Sequence, residues 1–238
     1  MTMLRARPLA LLAAFALLGG SALAGCKSQP GVASYVGDSR LTDAEVERTV
    51  AMIEDDVNTS GQALPKEAFG NVRQLVVQLT VFNEIAKRYA AEKGYTLPPQ
   101  DYKATAQQVG LPEGNPYVKL QTDANAYRQL LYSKSAAATP TDADLRDAFQ
   151  RAVDAGVLQG ATYEQVKPEL AQLQAVRNGV GLRNELLNAA KRYGVSVSPR
   201  YRPVEMPLGA ATTSGGQEIW LVALPLGVVD ATPAVVNR

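Results

Sequence analysis

Cys26 is the one side chain whose type and position suggest covalent chemistry. It is the only cysteine among 238 residues, and the chain contains no histidine. A lone cysteine can act as a nucleophile, a metal ligand, half of an intermolecular disulfide, a buried apolar residue or a point of lipid attachment. Because histidine is the usual base for a serine or cysteine nucleophile and the commonest metal ligand, its absence argues against triad catalysis and most metal sites.

The residues before Cys26 favour lipid attachment. Arg5 and Arg7 form a positive N-terminal region, and the apolar stretch from Leu9 to Leu18 is too short to cross a hydrocarbon core of about 30 Å. The sequence "LAGC" that ends at Cys26 resembles the bacterial lipobox, in which the cysteine sulfur takes a diacylglycerol before the signal is removed. We therefore expect residues 1–25 to be a lipoprotein signal peptide. The alternative is an ordinary cleaved signal with an unmodified cysteine beside it.

Lipidation of Cys26 predicts a location on the extracytoplasmic face of a cell membrane. Each methylene group of an acyl chain such as palmitate adds about 0.8 kcal/mol of membrane affinity, so two or three chains anchor firmly. Residues 26–32 then form a short tether to the folded body. Removal of the signal leaves 22 basic and 23 acidic residues. Such a balance provides no concentrated basic surface, so we expect no nucleic-acid partner. Because histidine is absent, we also expect no metal, and we expect no cofactor.

Apolar spacing predicts a mainly α-helical chain. Thr42 and Glu45 form a capping-box pattern, and the apolar residues after them recur every three or four positions, which is typical of an amphipathic helix. Gly179 and Gly181 interrupt the last helical pattern, where they indicate close packing or local flexibility. Further helices are predicted over 66–93, after Pro98-Pro99, over 116–137, after Thr141, and without interruption from Thr162 to Tyr193.

A few short strands are predicted at the two ends of the body. The segment "ASYVGDSRLT" reads as a hairpin with its turn at Gly37-Asp38, and Val195 and Val197 alternate with serines as in an edge strand. The segment "GAATTSGG" over 209–216 is predicted to be a loop or linker, followed by a short strand that carries Trp220. The residues after Gly227 show no periodicity, which makes them a candidate for disorder.

Three segments carry a family resemblance. The sequences "YVGDSRLTDAEV", "TPTDADLRDAF" and "AAKRYGVSVSPRY" resemble the N-terminal domain of SurA-type periplasmic chaperones, particularly the lipid-anchored versions. The resemblance covers residues 33–204 and leaves 205–238 as a C-terminal extension. It implies a mainly helical domain in which a short strand before the first helix pairs with a strand after the last one.

The resemblance also implies a function. Such a domain would bind unfolded or partly folded extracytoplasmic proteins through an apolar helical surface, without catalysis. Relatives that isomerise prolyl bonds carry a parvulin domain before the last helix, whereas only "AGVLQGATY" occupies that interval here, and parvulin histidines are absent. The alternatives are an interaction subunit for one dedicated envelope partner, a degenerate prolyl isomerase, and a small-molecule-binding lipoprotein. The last of these usually alternates strands and helices, a pattern this chain lacks.

Tyrosines are the candidate client-binding residues. They are abundant between the predicted long helix 66–93 and the helices around 116–155, where we expect a concave apolar surface rimmed by polar groups. The competing interpretation is that their rings close the edges of the core while their hydroxyl groups reach water. The candidates are Tyr89, Tyr95, Tyr102, Tyr117, Tyr127 and Tyr132.

Overall fold

A computed structural model describes residues 30–59, 68–213 and 215–227. This part of the chain is mainly helical, with two small antiparallel sheets, as the apolar spacing predicts. A short 3-10 helix spans Pro199–Tyr201. The α-helices are α1 Asp43–Thr59, α2 Ala68–Glu92, α3 Tyr102–Val109, α4 Pro116–Lys134, α5 Asp142–Asp154, α6 Tyr163–Gln172 and α7 Gln174–Arg192. The strands are β1 Val32–Val36, β2 Ser39–Thr42, β3 Ser196–Val197, β4 Glu205–Thr212 and β5 Glu218–Pro225.

The first sheet joins the beginning of the described chain to the end of its helical part. Its strand order is β2-β1-β3, and all neighbours are antiparallel. The hairpin between β1 and β2 turns at Gly37, whose φ of 64° suits a glycine. Ser34 lies opposite Val197 and Tyr35 opposite Ser196. The predicted pairing of an N-terminal strand with a strand after the last long helix is therefore confirmed.

Helix starts follow the capping signals in the sequence. The Thr42 side chain accepts from the Glu45 backbone N–H at 3.2 Å, while the Glu45 carboxylate accepts from the Thr42 N–H at 2.7 Å. Thr141 and Asp144 repeat this reciprocal arrangement at the start of α5. Each pair satisfies two backbone donors that the first helical turn leaves free. These local bonds explain why the N-terminal ends of α1 and α5 were predictable.

The larger core surrounds α2. Phe82 and Ile85 of this helix are completely buried, and α1, α4 and α7 contribute Val50, Leu131 and Leu186 to the same cluster. Burial of each such side chain stabilises the fold by about 1.5–3 kcal/mol relative to exposure. The helices thus form a packed body around α2. In the described part of the chain, no helix is both long enough and apolar enough to span a membrane.

The β4–β5 hairpin belongs to this body. Leu224 and Leu226 lie in the larger core, whereas Ile219 and Leu221 join a second cluster with residues of α5, α6 and α7. The four consecutive residues Leu221–Leu224 are all buried, which means that both faces of β5 are covered. The C-terminal extension therefore folds back on the helices as far as Gly227. Residues 228–238, where disorder was a possibility, lie outside the described residues.

Two local predictions were wrong. The expected single helix from Thr162 to Tyr193 is broken at Leu173, whose ψ of 120° is extended. No glycine or proline marks this position, and the break lets α6 pack on α5 while α7 continues along the β4–β5 hairpin. The expected loop over 209–216 is strand as far as Thr212.

Small residues in that strand serve close packing instead of a loop. A Cβ atom on Gly209 would meet the Ala175 carbonyl oxygen of α7 and would lie 3.3 Å from the Gly179 Cα. A Cβ atom on Gly179 would in turn lie 2.9 Å from the Val222 Cβ. Since ordinary side chains cannot occupy these positions without a shift, the two glycines allow α7 to lie directly against the hairpin. Of the two interpretations of Gly179, close packing is the one the structure supports.

Candidate functional site

The candidate site is an open cleft of about 460 Å³ under the β1–β2 hairpin. The hairpin and the start of α1 form one side, α2 forms the floor, and α4 forms the other side. Its apolar part comes from both strands and both helices, with Val36, Leu41, Val81 and Leu120. The polar and aromatic lining residues are Ser34, Ser39, Arg40, Glu45, Thr80, Asn83, Glu84, Lys87, Asp123 and Tyr127.

A polar network fixes the hairpin above the cleft. Arg88 of α2 donates to the Asp38 carboxylate at 2.6 Å and to Glu84 at 2.7 Å. Ser39 donates to the same Glu84 carboxylate at 3.0 Å, and the Gly37 N–H bonds to the Tyr193 carbonyl at 2.6 Å. A single exposed ion pair contributes little to the stability of the fold, but several hydrogen bonds to one arginine hold its partners in fixed positions. The network ties the turn to α2 and to the end of α7.

Side-chain hydrogen bonds to α1 and α2 position α4, which forms one wall of the cleft. The Asn115 side chain caps α4 by accepting from the Tyr117 N–H at 2.8 Å and donates to the Asp56 carboxylate of α1 at 2.6 Å. Farther along, Asn83 of α2 donates to the Leu120 carbonyl at 2.9 Å. The Asn83 Oδ1 atom is buried without a hydrogen-bond partner in the described structure. These bonds hold α4 against α1 and α2.

Burial and nearby carboxylates keep two tyrosine hydroxyl groups protonated: that of Tyr127 in the cleft and that of Tyr102 outside it. Burial, together with the nearby Asp123 and Glu84 carboxylates, raises the pKa of Tyr127. The hydrogen bond from the Tyr102 hydroxyl to Asp123, 3.1 Å long, raises the pKa of Tyr102. Both hydroxyl groups are protonated at neutral pH and can donate hydrogen bonds. The charged groups that line the cleft are the cations Arg40 and Lys87 and the carboxylates Glu45, Glu84 and Asp123.

The structure places the six candidate tyrosines mainly at the edges of the core. Tyr89 is 4% exposed and donates to Glu185 at 2.6 Å; its burial and then this carboxylate raise its pKa. The other five are partly buried, and only Tyr127 lines the cleft. Burial also raises the pKa of Tyr117 and of Tyr132. Packed against the larger core are Tyr95, Tyr117, Tyr127 and Tyr132.

Sequence reasoning missed most of the cleft. It expected the concave surface between the long helix and the helices that follow, but α2 and α4 pack directly against each other. The cleft is bounded by the β1–β2 hairpin as well as by α2 and α4, and it brings together Arg40, Thr80 and Asp123. No local signal identifies these residues, because they are distant in sequence and meet only through the hairpin. Cys26 lies outside the described residues.

A second open cavity, of about 570 Å³, lies between the end of α1 and the α3–α4 connection. Its lining includes Asp56, Lys103 and Leu111 but none of the six tyrosines. Across residues 30–59, 68–213 and 215–227, no group of three or more Cys, Asp or Glu side chains is arranged to hold a metal ion. The lining of the cleft under the β1–β2 hairpin offers apolar contacts and hydrogen-bonding groups to a ligand.

Comparison with known proteins gives no assignment: the chain matches no protein-family model, no curated protein and no solved structure.

Proposed function

We propose that this protein is a membrane-anchored, extracytoplasmic chaperone-like protein that binds segments of unfolded or partly folded proteins without catalysis. The observation that supports it most is the pairing of β1 with β3, at Ser34–Val197 and Tyr35–Ser196. This is the pairing that the resemblance to SurA-type N-terminal domains implies. The anchor is the lipidated Cys26, six residues before the first residue of β1.

The cleft under the hairpin supplies the binding surface. Unfolded proteins present short apolar and aromatic segments, which gain free energy when apolar area leaves water, about 25 cal/mol per Å². Leu41, Leu120 and Tyr127, which are only partly buried, offer such area, and the surrounding hydroxyl, amide and charged groups can bond to the backbone of a bound segment. A cleft of about 460 Å³ accommodates a short segment only. Binding is consequently weak, and tethering to the membrane raises the effective concentration beside emerging chains.

The test measures aggregation of an unfolded model client by light scattering. The purified full chain at several-fold molar excess is expected to suppress aggregation. Tyr127→Ala removes the aromatic ring that lines the cleft and is expected to weaken suppression. Tyr132→Ala is the matched control, because it removes another partly buried tyrosine of α4 that packs on the same core but lies outside the cleft.

Circular dichroism and thermal unfolding verify that both variants remain folded. If the unmodified chain leaves aggregation unchanged at several-fold excess, the proposal is wrong. If the two tyrosine variants lose suppression of aggregation equally, the cleft is not the binding surface, although the chaperone activity itself stands. Absence of prolyl isomerisation in a short-peptide assay distinguishes the proposal from a degenerate isomerase.

A dedicated envelope partner is the second candidate. Among the described residues, Met52 is the only large apolar side chain classed as exposed, at 39%. An interface with one specific partner is only about as apolar as the rest of a protein surface, so it does not need a large exposed apolar patch. Crosslinking in cells followed by pull-down distinguishes the two: one dominant partner supports the interaction subunit, and many partners support the chaperone.

A further inference from the structure

Of the four described arginines that stack on aromatic rings, all but one also form a salt bridge. Arg146 lies 4.2 Å from the centre of the Tyr163 ring, and Arg192 and Arg200 stack on neighbouring tyrosines. Each of these three also forms a salt bridge, with carboxylates of Asp142, Glu92 and Asp43 in that order.

Arg128 is the exception. Its guanidinium lies 4.3 Å from the centre of the ring of Trp220, the only tryptophan of the chain. It forms no salt bridge with a described residue; the nearest acidic influence is Glu218, which acts on it only through space. Its one side-chain hydrogen bond goes to the Asn125 amide oxygen, at 3.0 Å.

The missing carboxylate matters because Arg128 is partly removed from water. Burial lowers its pKa, although the guanidinium stays protonated at neutral pH. The stacking on Trp220 stabilises the charge only in part, since a cation–π contact contributes about 0.5–2 kcal/mol. The remaining N–H groups of Arg128 reach solvent, because the buried side-chain atoms without a partner in the described structure are only Asn83 Oδ1 and Arg183 Nε.

We propose that Arg128 and Trp220 form a binding site for a carboxylate group of a ligand. The free N–H groups of the guanidinium would donate to both carboxylate oxygens, which supplies the partner that the other three stacked arginines already have. The hydrogen bond to Asn125 and the contact with the indole ring hold the guanidinium in place. Neither Arg128 nor Trp220 lines the cleft, so this site is independent of the proposed function.

The carboxylate could come from a chain terminus or from an acidic side chain, and small probes separate the two sources. N-acetyl-leucine carries an α-carboxylate, N-acetyl-glutamic acid α-amide carries a side-chain carboxylate, and N-acetyl-leucinamide carries neither. Because Trp220 is the only tryptophan, its fluorescence reports binding directly in the purified full chain at pH 7 and constant ionic strength. A saturable change is expected with at least one of the two carboxylates and not with the amide.

Two variants test the assignment to Arg128. Arg128→Gln keeps a polar side chain and is expected to weaken carboxylate binding on the order of tenfold or more, since it removes a charge-assisted hydrogen bond. Arg146→Gln is the matched control: Arg146 lies at a similar distance from its ring but has its own carboxylate partner, Asp142, so this variant is expected to leave binding unchanged.

A change in the Tm of the full chain with ligand provides a second measurement that does not depend on fluorescence. Arg128→Lys keeps the charge without the planar group and is expected to bind with intermediate affinity, which covers the case in which Arg128→Gln does not fold. The proposal is overturned if neither carboxylate gives a saturable response, if the amide binds as well, or if the folded Arg128 variants bind like the unmodified chain.

Discussion

Replacement of Gly181 by alanine tests the packing of α7 most directly. A Cβ atom at this position would fall against the Ala136 carbonyl oxygen and would lie 3.1 Å from the carbonyl carbon of the same residue. The obstructing atoms belong to the backbone, so they cannot rotate away as the end of a side chain could. The segment that contains them is held to α7 by the bond from the Ala138 N–H to the Arg177 carbonyl, at 3.0 Å.

Three contributions determine the expected change in the free energy of unfolding. Alanine in a helix interior is favoured over glycine by about 1 kcal/mol. Overpacking costs about 1–3 kcal/mol, and a backbone obstruction belongs at the upper end of that range. Separation of the 136–138 segment from α7 also weakens the Ala138–Arg177 hydrogen bond, which contributes about 1 kcal/mol. Gly181→Ala is therefore expected to destabilise the fold by roughly 2–3 kcal/mol.

Gly70 provides the matched control. It is an exposed glycine of α2, and a Cβ atom there would meet nothing within 4 Å. Gly70→Ala is expected to stabilise the protein by about 0.5–1 kcal/mol through propensity alone. The measurement is the denaturant midpoint by circular dichroism at constant m-value, with the Tm as a second readout expected to fall by roughly 5–10 °C for Gly181→Ala. An equal or higher midpoint for Gly181→Ala would falsify the packing argument.

Three other changes test separate parts of the structure. Cys26→Ser should abolish incorporation of radiolabelled palmitate; label that persists in the variant, or is absent from the unmodified protein, contradicts lipidation at this residue. Tyr201 donates to Asp43 at 2.8 Å, and burial, then this bond, raises its pKa to about 12. Its contribution to stability is complete below pH of about 10 and is lost as pH rises toward the folded pKa. In urea unfolding, the free energy of unfolding of Tyr201→Phe should therefore fall less between pH of about 10 and about 12 than that of the unmodified chain. An equal fall with pH in the two proteins refutes the assignment. Asn115→Ala removes the cap that accepts from Tyr117 and should lower the free energy of unfolding by about 1–2 kcal/mol in the same assay.

The sequence predicted those elements whose signals are local. The apolar spacing of α1 and its Thr42–Glu45 cap both act within a few residues, and the structure contains that helix at Asp43–Thr59. The hairpin at Gly37 was predictable for the same reason, since a two-residue turn needs a residue that tolerates positive φ. Local sequence was not sufficient at Leu173, where α6 and α7 separate without a helix-breaking residue.

The candidate site was predictable only in part. Tyr127 was among the residues proposed from the abundance of tyrosine along this region, and it does line the cleft. Arg40 and Thr80 line the same cleft, but 40 and 80 are far apart in the chain and share no sequence signal. That Arg128 has no salt bridge with a described residue was likewise unpredictable, because the ion pairs of an arginine depend on which acidic residues the fold brings near it.

The sequence by itself determined the class of fold, the β1–β2 hairpin and the starts of most helices. These depend on apolar periodicity, on caps and on turn residues, each of which operates over one or two turns of chain. Only the tertiary structure decided that the β4–β5 hairpin packs against α7 through Gly179 and Gly209, and that the cleft lies under the β1–β2 hairpin. Both results depend on contacts between residues remote in sequence, whose free energy arises only when the whole body is packed.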